Sequence, residues 1–409
     1  MAEKKKKNLA PALMLALALG IVSWVAWRGY DAATGPEYAG SISCRACHEK
    51  EYELWRTSPH AMQFRAATNE IPSSLWAIGR TNIVQYLRAM PGGRLQTMPW
   101  AWDLRRKEWY SMPDSMVRDW IPGDAPLHWT HDAFTFNSNC MQCHVSPSWA
   151  NFSPADGTFS TTWLEPTITC EGCHGPLRPH TKFPLLCPAT RLDATSCKSC
   201  HSKTYRDGEL VALEDIDFTA DGRDLGENYT WTRFLMSPCL RTANAASQTP
   251  TCLSCHTTSG RTKTDSITSC TQCHADKLAD ASHSRHKSQS SDPARPLPSC
   301  TDCHMPKTSF ARIKHSDHSF RPPDPRLALD YGGASACAQC HKDRTEEENA
   351  RIVEAWHPSS RLRERIRLEA ELVARARRGD PDVWQDARQY LSSPHANPVI
   401  RTTLERLAR

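Results

Sequence analysis

The sequence predicts a mainly α-helical chain with extensive irregular coil, arranged around an interior that its own side chains do not fill. Three observations lead to this class. Only 39% of the 409 residues are hydrophobic and 29 are proline, with a mean hydropathy of −0.58, so apolar segments are too few for large cores. The 18 cysteines and 14 tryptophans argue against disorder. Finally, one five-residue pattern recurs eight times between residues 44 and 341.

At the N-terminus, Lys4, Lys5, Lys6 and Lys7 precede a mostly apolar run from Leu9 to Trp27. The run is about 19 residues long, close to the roughly 20 that cross a hydrocarbon core as a helix. Residues 1–28 are therefore expected to be a basic tip and an uncleaved transmembrane signal-anchor in the inner (cytoplasmic) membrane. The lysines would stay in the cytoplasm and the chain after Arg28 would lie in the periplasm or outside the cell. A cleaved signal peptide is the competing reading, although its apolar stretch is usually shorter and no small-x-small site follows closely after Trp27. Net charge is +5, of which about +2 falls on the exported part. That charge offers no basic surface for nucleic acid.

The repeated pattern is Cys-x-x-Cys-His. The first four copies are Cys44, Cys47, His48; Cys140, Cys143, His144; Cys170, Cys173, His174; and Cys197, Cys200, His201. The remaining four are Cys252, Cys255, His256; Cys270, Cys273, His274; Cys300, Cys303, His304; and Cys337, Cys340, His341. With 18 cysteines and 18 histidines in 409 residues, fewer than one copy is expected by chance. On a turn of helix, positions i, i+3 and i+4 share one face. Two thiols so placed form thioethers with the two vinyl groups of one porphyrin, and the following histidine supplies a nitrogen to its iron. This is the attachment pattern of c-type haem, and the cofactors implied are eight haem c, each with one iron. Paired CxxC knuckles also bind zinc, but zinc needs no histidine after each pair. A disulfide framework would not place eight histidines in register with eight cysteine pairs.

From Cys44 to His341 each motif has about 37 residues, too little chain to enclose each porphyrin in a private pocket. The haems themselves must form much of the core. With ionised propionates they would turn the exported charge to about −6 when oxidised, so redox partners are expected to present basic faces. Ten histidines lie outside the motifs: His60, His128, His131, His180, His283, His286, His315, His318, His357 and His395. A second imidazole on an iron favours the ferric state and a low potential. His283 and His286 are three residues apart, as are His315 and His318, and either pair could serve two neighbouring haems from one helical face. His395, far from any motif, reads as a surface residue.

Several segments resemble exported bacterial multihaem (octahaem) c-type cytochromes, a group that includes forms fused to C-terminal helical repeats of the TPR or HEAT type. The Trp55–Ala61 stretch is similar to their W-x-x-S-x-H-A segment. Gly93–Gln96 with Ala101–Asp103, His128–Thr130, Cys170–His180, His283–Lys287, Cys300–Pro306 and Asp317–Phe320 extend the resemblance over most of residues 41–341. It implies His60, His128, His180, His283, His286 and His318 as distal iron ligands. Two departures stand out. Thr257 and Thr258 follow His256 where relatives often have a nearby histidine, and Tyr229–Cys239 ends in cysteine where many show methionine or histidine. One haem is thus expected to have an unusual ligand or none. Cys187 and Cys239, the two cysteines outside the motifs, are open to one disulfide, to free thiols or, for Cys239, to an iron.

Residues 29–341 are expected to form the haem domain, with a Trp-rich packing insert at about 61–135. Residues 342–409 are expected to form a short HEAT-like helical segment. There Thr345 opens a helix with an acidic first turn, Gly379 stops one, and Asn397-Pro398 opens the last. The arginines at 361, 363, 365 and 367 read as a solvated face. The expected function is electron transfer, with redox proteins, quinol-linked donors or other cytochromes as partners. The competing reading is a multihaem oxidoreductase acting on a small nitrogen or sulfur oxyanion at one open iron. A third reading gives the C-terminal helices a homo-oligomer or a partner complex to hold.

Overall fold

The computed structural model describes residues 37–67, 70–71, 73–202, 205–206, 209–210, 212–227, 230–241, 249–286 and 298–409, with positions 20 and 23 isolated before them. The apolar run from Leu9 to Trp27, expected to span a membrane, lies outside these residues apart from those two positions. Among the described residues no helix is long and apolar enough to cross a membrane.

The expectation of a mainly α chain needs correction over the Trp-rich insert, which folds as a five-stranded antiparallel sheet. Its strands β1 (Phe64–Ala66), β2 (Trp76–Ile78), β3 (Ile83–Ala89), β4 (Leu95–Asp103) and β5 (Glu108–Ser111) pair in chain order. The β3–β4 hairpin runs from Ala89↔Leu95 out to Ile83↔Asp103, with an irregularity between Gln85 and Leu87. Its turn uses Gly92 and Gly93 in the left-handed region, and a Cβ on Gly93 would collide with the Phe159 carbonyl oxygen. Both faces are covered, which is why the strands lack a simple alternation. One face packs Phe64, Ile78, Leu87 and Leu95 onto Phe136, Met141 and Val145, and the other gathers Ala67, Ala77, Val84 and Tyr86. Tryptophans contribute to this packing, as expected of a packing insert: Trp76 stacks on Phe64 with ring centres 4.8 Å apart, and Trp163 meets Trp76 edge-on at 5.0 Å.

Elsewhere the chain is short helical turns and coil. Four helices close it: Glu346–Trp356, Arg361–Arg377, Val383–Leu391 and Pro398–Leu407. The expected caps are in place. Thr345 and Glu348 form a reciprocal capping box, and the Asn397 side chain accepts from the Val399 N–H. These helices share a core with the middle of the chain, where Leu372, Val373, Ile400 and Leu404 bury Leu213, Phe218 and Met236. The arginine row is not a simple solvated face. Arg363 is buried with its guanidinium on the Val353 and His357 carbonyls, and Arg367 grips the buried Asp324 through two bonds of 2.8 Å.

Candidate haem-binding sites

The cysteine–histidine motifs sit on helical turns, several of which the flanking sequence caps. Thr169, Thr251 and Ser299 directly precede a first cysteine. The Thr169 hydroxyl accepts from the Gly172 N–H, and Thr251 and Ser299 form capping boxes with Ser254 and Asp302. The backbone N–H of the histidine closes the turn onto the first cysteine's carbonyl, at 2.9 Å for His48, 3.2 Å for His144, 2.9 Å for His256 and 2.8 Å for His341. All 18 cysteines are free thiols, and those of the motifs are half-buried or exposed, so both sulfurs are available to one porphyrin edge.

Five histidine pairs face one another, each joining a motif histidine to one outside the motifs. Ring centres are 6.3 Å apart for His48–His180, 6.4 Å for His60–His201 and 6.4 Å for His256–His318. They are 5.9 Å apart for His283–His304 and 6.1 Å for His286–His341. Two metal–nitrogen bonds of about 2 Å, each extended by ~1.1 Å from nitrogen to ring centre, require about 6.2 Å between rings that share one ion. The observed separations fit that requirement. Among the described residues no group of three or more His, Cys, Asp or Glu converges as a metal ligand set; the imidazoles meet in twos.

The ring protons agree with this arrangement. His180, His286, His304 and His318 donate from Nδ1 to the carbonyls of Cys187, Ser284, Arg321 and Ser316, at 2.9, 2.7, 3.0 and 2.9 Å. His174 does the same to Thr190 at 3.0 Å, and His144 donates to Gln63 Oε1 at 3.1 Å. A proton fixed on Nδ1 leaves the Nε2 lone pair for a metal. Burial lowers the pKa of His60, His201, His304 and His318 and pushes His144 down to about 4, favouring the neutral ring that ligation needs.

Of the six distal ligands implied by resemblance, five stand in these pairs. His128 is exposed, with Nδ1 2.7 Å from the Thr130 hydroxyl. At His256, where a missing or unusual ligand was expected, the ring of His318 faces it from far along the chain. His283 and His286 face the histidines of two different motifs, although Arg285 between them is left-handed and ends the helix. His315 and His318 share no helical face, since His315 lies in a β-hairpin opposite Thr308. Among the described residues His144, His174 and His274 face no second histidine. Cys187 and Cys239 form no disulfide. Cys187 is beside His180, whereas Cys239 lies in the neighbourhood of Cys255 and Cys270.

The motif turns also abut one another. Cys44 lies beside Cys170, Cys143 beside Cys200, Cys197 beside Cys252, and Cys270 beside Cys300. The Cys170–His174 turn packs on Ala194–Cys197, and Cys300–His304 packs on Ala336–Cys340. Cys255 adjoins Cys273.

The chain superposes on the outer cell wall cytochrome OcwA with a TM-score of 0.57 at 17% identity, covering 91% of this chain and 96% of that one. The two share one fold. Residues 290–389 of this chain match the cytochrome c552 family, and residues 43–75 match cytochrome c554 and c-prime. The undecahaem cytochrome from the S-layer of Carboxydothermus ferrireducens aligns at a TM-score of 0.45 and 14% identity, over 90% of this chain and 65% of its own. No curated protein matches the sequence.

Side chains that sequence reasoning missed include Gln63, Glu171, Arg233 and Arg321. Glu171, inside the third motif, is 2% exposed and accepts from the N–H groups of Ala39, Gly40 and Leu177 at 3.0, 2.8 and 2.8 Å. Its position between two cysteines carries no local sign of that task.

Proposed function

We propose that this cytochrome moves single electrons along eight covalently attached haems, most of them held between two histidines. The five facing histidine pairs carry the proposal. The sixteen motif cysteines would hold the porphyrins and the eight motif histidines the irons, with His60, His180, His283, His286 and His318 opposite five of them. When bound, each haem supplies a one-electron iron(III)/iron(II) couple, lowered in potential by two imidazoles. The chain's own residues do the spacing and orienting. The carbonyls that accept from Nδ1 fix each ring and raise its basicity. The contacts among motif turns support an order of first, third, fourth, fifth, sixth, seventh and eighth, with the second branching at the fourth.

An extracytoplasmic site fits the attachment chemistry and the cell-wall cytochrome that shares the fold. Residues 1–28 would tether the chain to the inner membrane, near quinol-linked or other cytochrome donors with basic docking faces. A second reading rests on His144, His174 and His274. An iron on one of them with an open face would support an oxidoreductase acting on a small nitrogen or sulfur oxyanion.

Intact mass and the Soret band of the matured protein test the proposal. Eight haem additions are expected, and a mass near the bare 46.0 kDa with no Soret band would sink it. EPR of the oxidised protein separates the two readings. Wholly low-spin spectra favour the carrier, whereas a high-spin signal that responds to added nitrite, hydroxylamine or sulfite favours the enzyme.

A further inference from the structure

Between two of the histidine pairs lies a network of buried charge. Arg233, on the Thr230–Leu235 helix, is 1% exposed. Its guanidinium donates from Nε to Asp317 Oδ1 at 3.0 Å, from Nη2 to Asp317 Oδ2, and from Nη2 to the Ser319 hydroxyl at 3.1 Å. The same hydroxyl accepts from Arg321 Nε at 3.1 Å. Arg321 in turn binds the backbone and carboxylate of Asp221 at 2.8 and 3.3 Å, and Arg223 reaches that carboxylate at 3.2 Å. Asp317 is 11% exposed and the others less, and with Asp224, whose charge also acts on Arg233, three carboxylates face three arginines.

The segment held by this network is Ser316–Arg321, and both of its ends orient histidines. The Ser316 carbonyl accepts from His318 Nδ1 at 2.9 Å, and His318 faces His256. The Arg321 carbonyl accepts from His304 Nδ1 at 3.0 Å, and His304 faces His283. One short stretch of backbone therefore sets a ring in each of two pairs. Arg233 grips its centre, flanking His318 on both sides through Asp317 and Ser319.

We propose that Arg233 is a positioning residue for two haem sites at once, fixing His318 opposite His256 and, through Ser319 and Arg321, the ring of His304 opposite His283. This rests on the haem reading above. A planar guanidinium with several donors can hold a carboxylate and a hydroxyl together, whereas an ammonium is a single point charge that cannot reproduce that fork. Arg233→Lys thus keeps the buried carboxylate compensated but loses the shared geometry.

The test is full-length Arg233→Lys, with Ser319→Ala as a second variant that removes the shared hydroxyl and strands no carboxylate. Each is purified, its haems counted by mass, then examined by EPR and reductive titration. The expected result is eight haems, a shift in the midpoints of two of them, changed low-spin g-values at those two, and six haems unaltered. Ser319→Ala should give a smaller shift in the same two, and it decides the matter if Arg233→Lys fails to accumulate. Eight haems with all midpoints and g-values of the parent in Ser319→Ala and in any Arg233→Lys recovered would overturn the proposal and leave the haem reading standing. A parent protein without haem would overturn the reading itself.

Discussion

His318 and His131 carry the same ring, and the placement of one proton separates their chemistry. His318 gives its Nδ1 proton to a carbonyl and so presents a bare Nε2 to whatever lies between it and His256. His131 accepts the Ala133 N–H on Nδ1 at 3.1 Å, which leaves the proton on Nε2 and caps a short helical turn instead. His318→Ala should therefore convert one haem per chain from low-spin to high-spin in the EPR spectrum, while His131→Ala leaves the spectrum as it was. Charge is managed residue by residue as well. Burial alone would raise the Asp221 carboxyl, but Arg223 and Arg321 outweigh it and hold the group below its ordinary value. A carboxyl depressed in the folded state stabilises the fold fully above its unfolded pKa of about 3.9 and loses that contribution as pH falls through the folded value. Arg223→Met should move the acid-unfolding midpoint, followed by far-UV circular dichroism, to higher pH. No movement would mean that Arg321 alone compensates Asp221.

Elements differ in how much of their structure the sequence carries locally. The C-terminal helices were legible because a helix writes its start and stop into adjacent residues, as Thr345 with Glu348 and Asn397 with Pro398 do. The motif turns were legible because the spacing of three attachment atoms on a porphyrin is itself a sequence pattern. The sheet was not legible. β3 is buried on both faces from Val84 to Leu87, so the period-two alternation that marks a strand is missing, and a Trp-rich composition stood in its place. Partners across long separations were equally silent. A partner for His256 was sought nearby, in Thr257 and Thr258, but the ring that faces it, His318, follows the hairpin Lys307–Ser316 beyond two further motifs. Glu171 illustrates what such contacts contribute. Its carboxylate ties the Ala39–Gly40 backbone, and hence the first motif, to the third. Glu171→Ala strands several N–H groups, at a cost of about 1–3 kcal/mol for each one left buried without an acceptor. Chemical denaturation should register this as a lower midpoint, with haem content unchanged.

At the scale of the whole molecule, the apolar cores are small and scattered, as expected if cofactors occupy much of the interior, with one exception. Its largest members come from two distant stretches, residues 213–236 and 372–404, and the Leu213 N–H donates to the Thr403 hydroxyl at 2.9 Å across their contact. Arg377 adds bonds to the Phe218 and Leu213 carbonyls at 3.1 and 3.2 Å. The stretch that these helices cover leads into the Thr230–Leu235 helix and, through Arg233, to the segment that orients His318 and His304. Removing residues 342–409 would therefore expose Leu213, Phe218 and Met236, at about 25 cal/mol for each Å² of apolar surface returned to water, and would release the scaffold behind two histidine pairs. The truncated chain should melt at a lower temperature and show high-spin character at the fifth and seventh motifs, while the pairs His48–His180 and His60–His201 keep their low-spin signals. If the truncated protein kept the parent melting temperature and a wholly unchanged EPR spectrum, the closing helices would be an independent appendage, and the shared core would contribute nothing to how the irons are held.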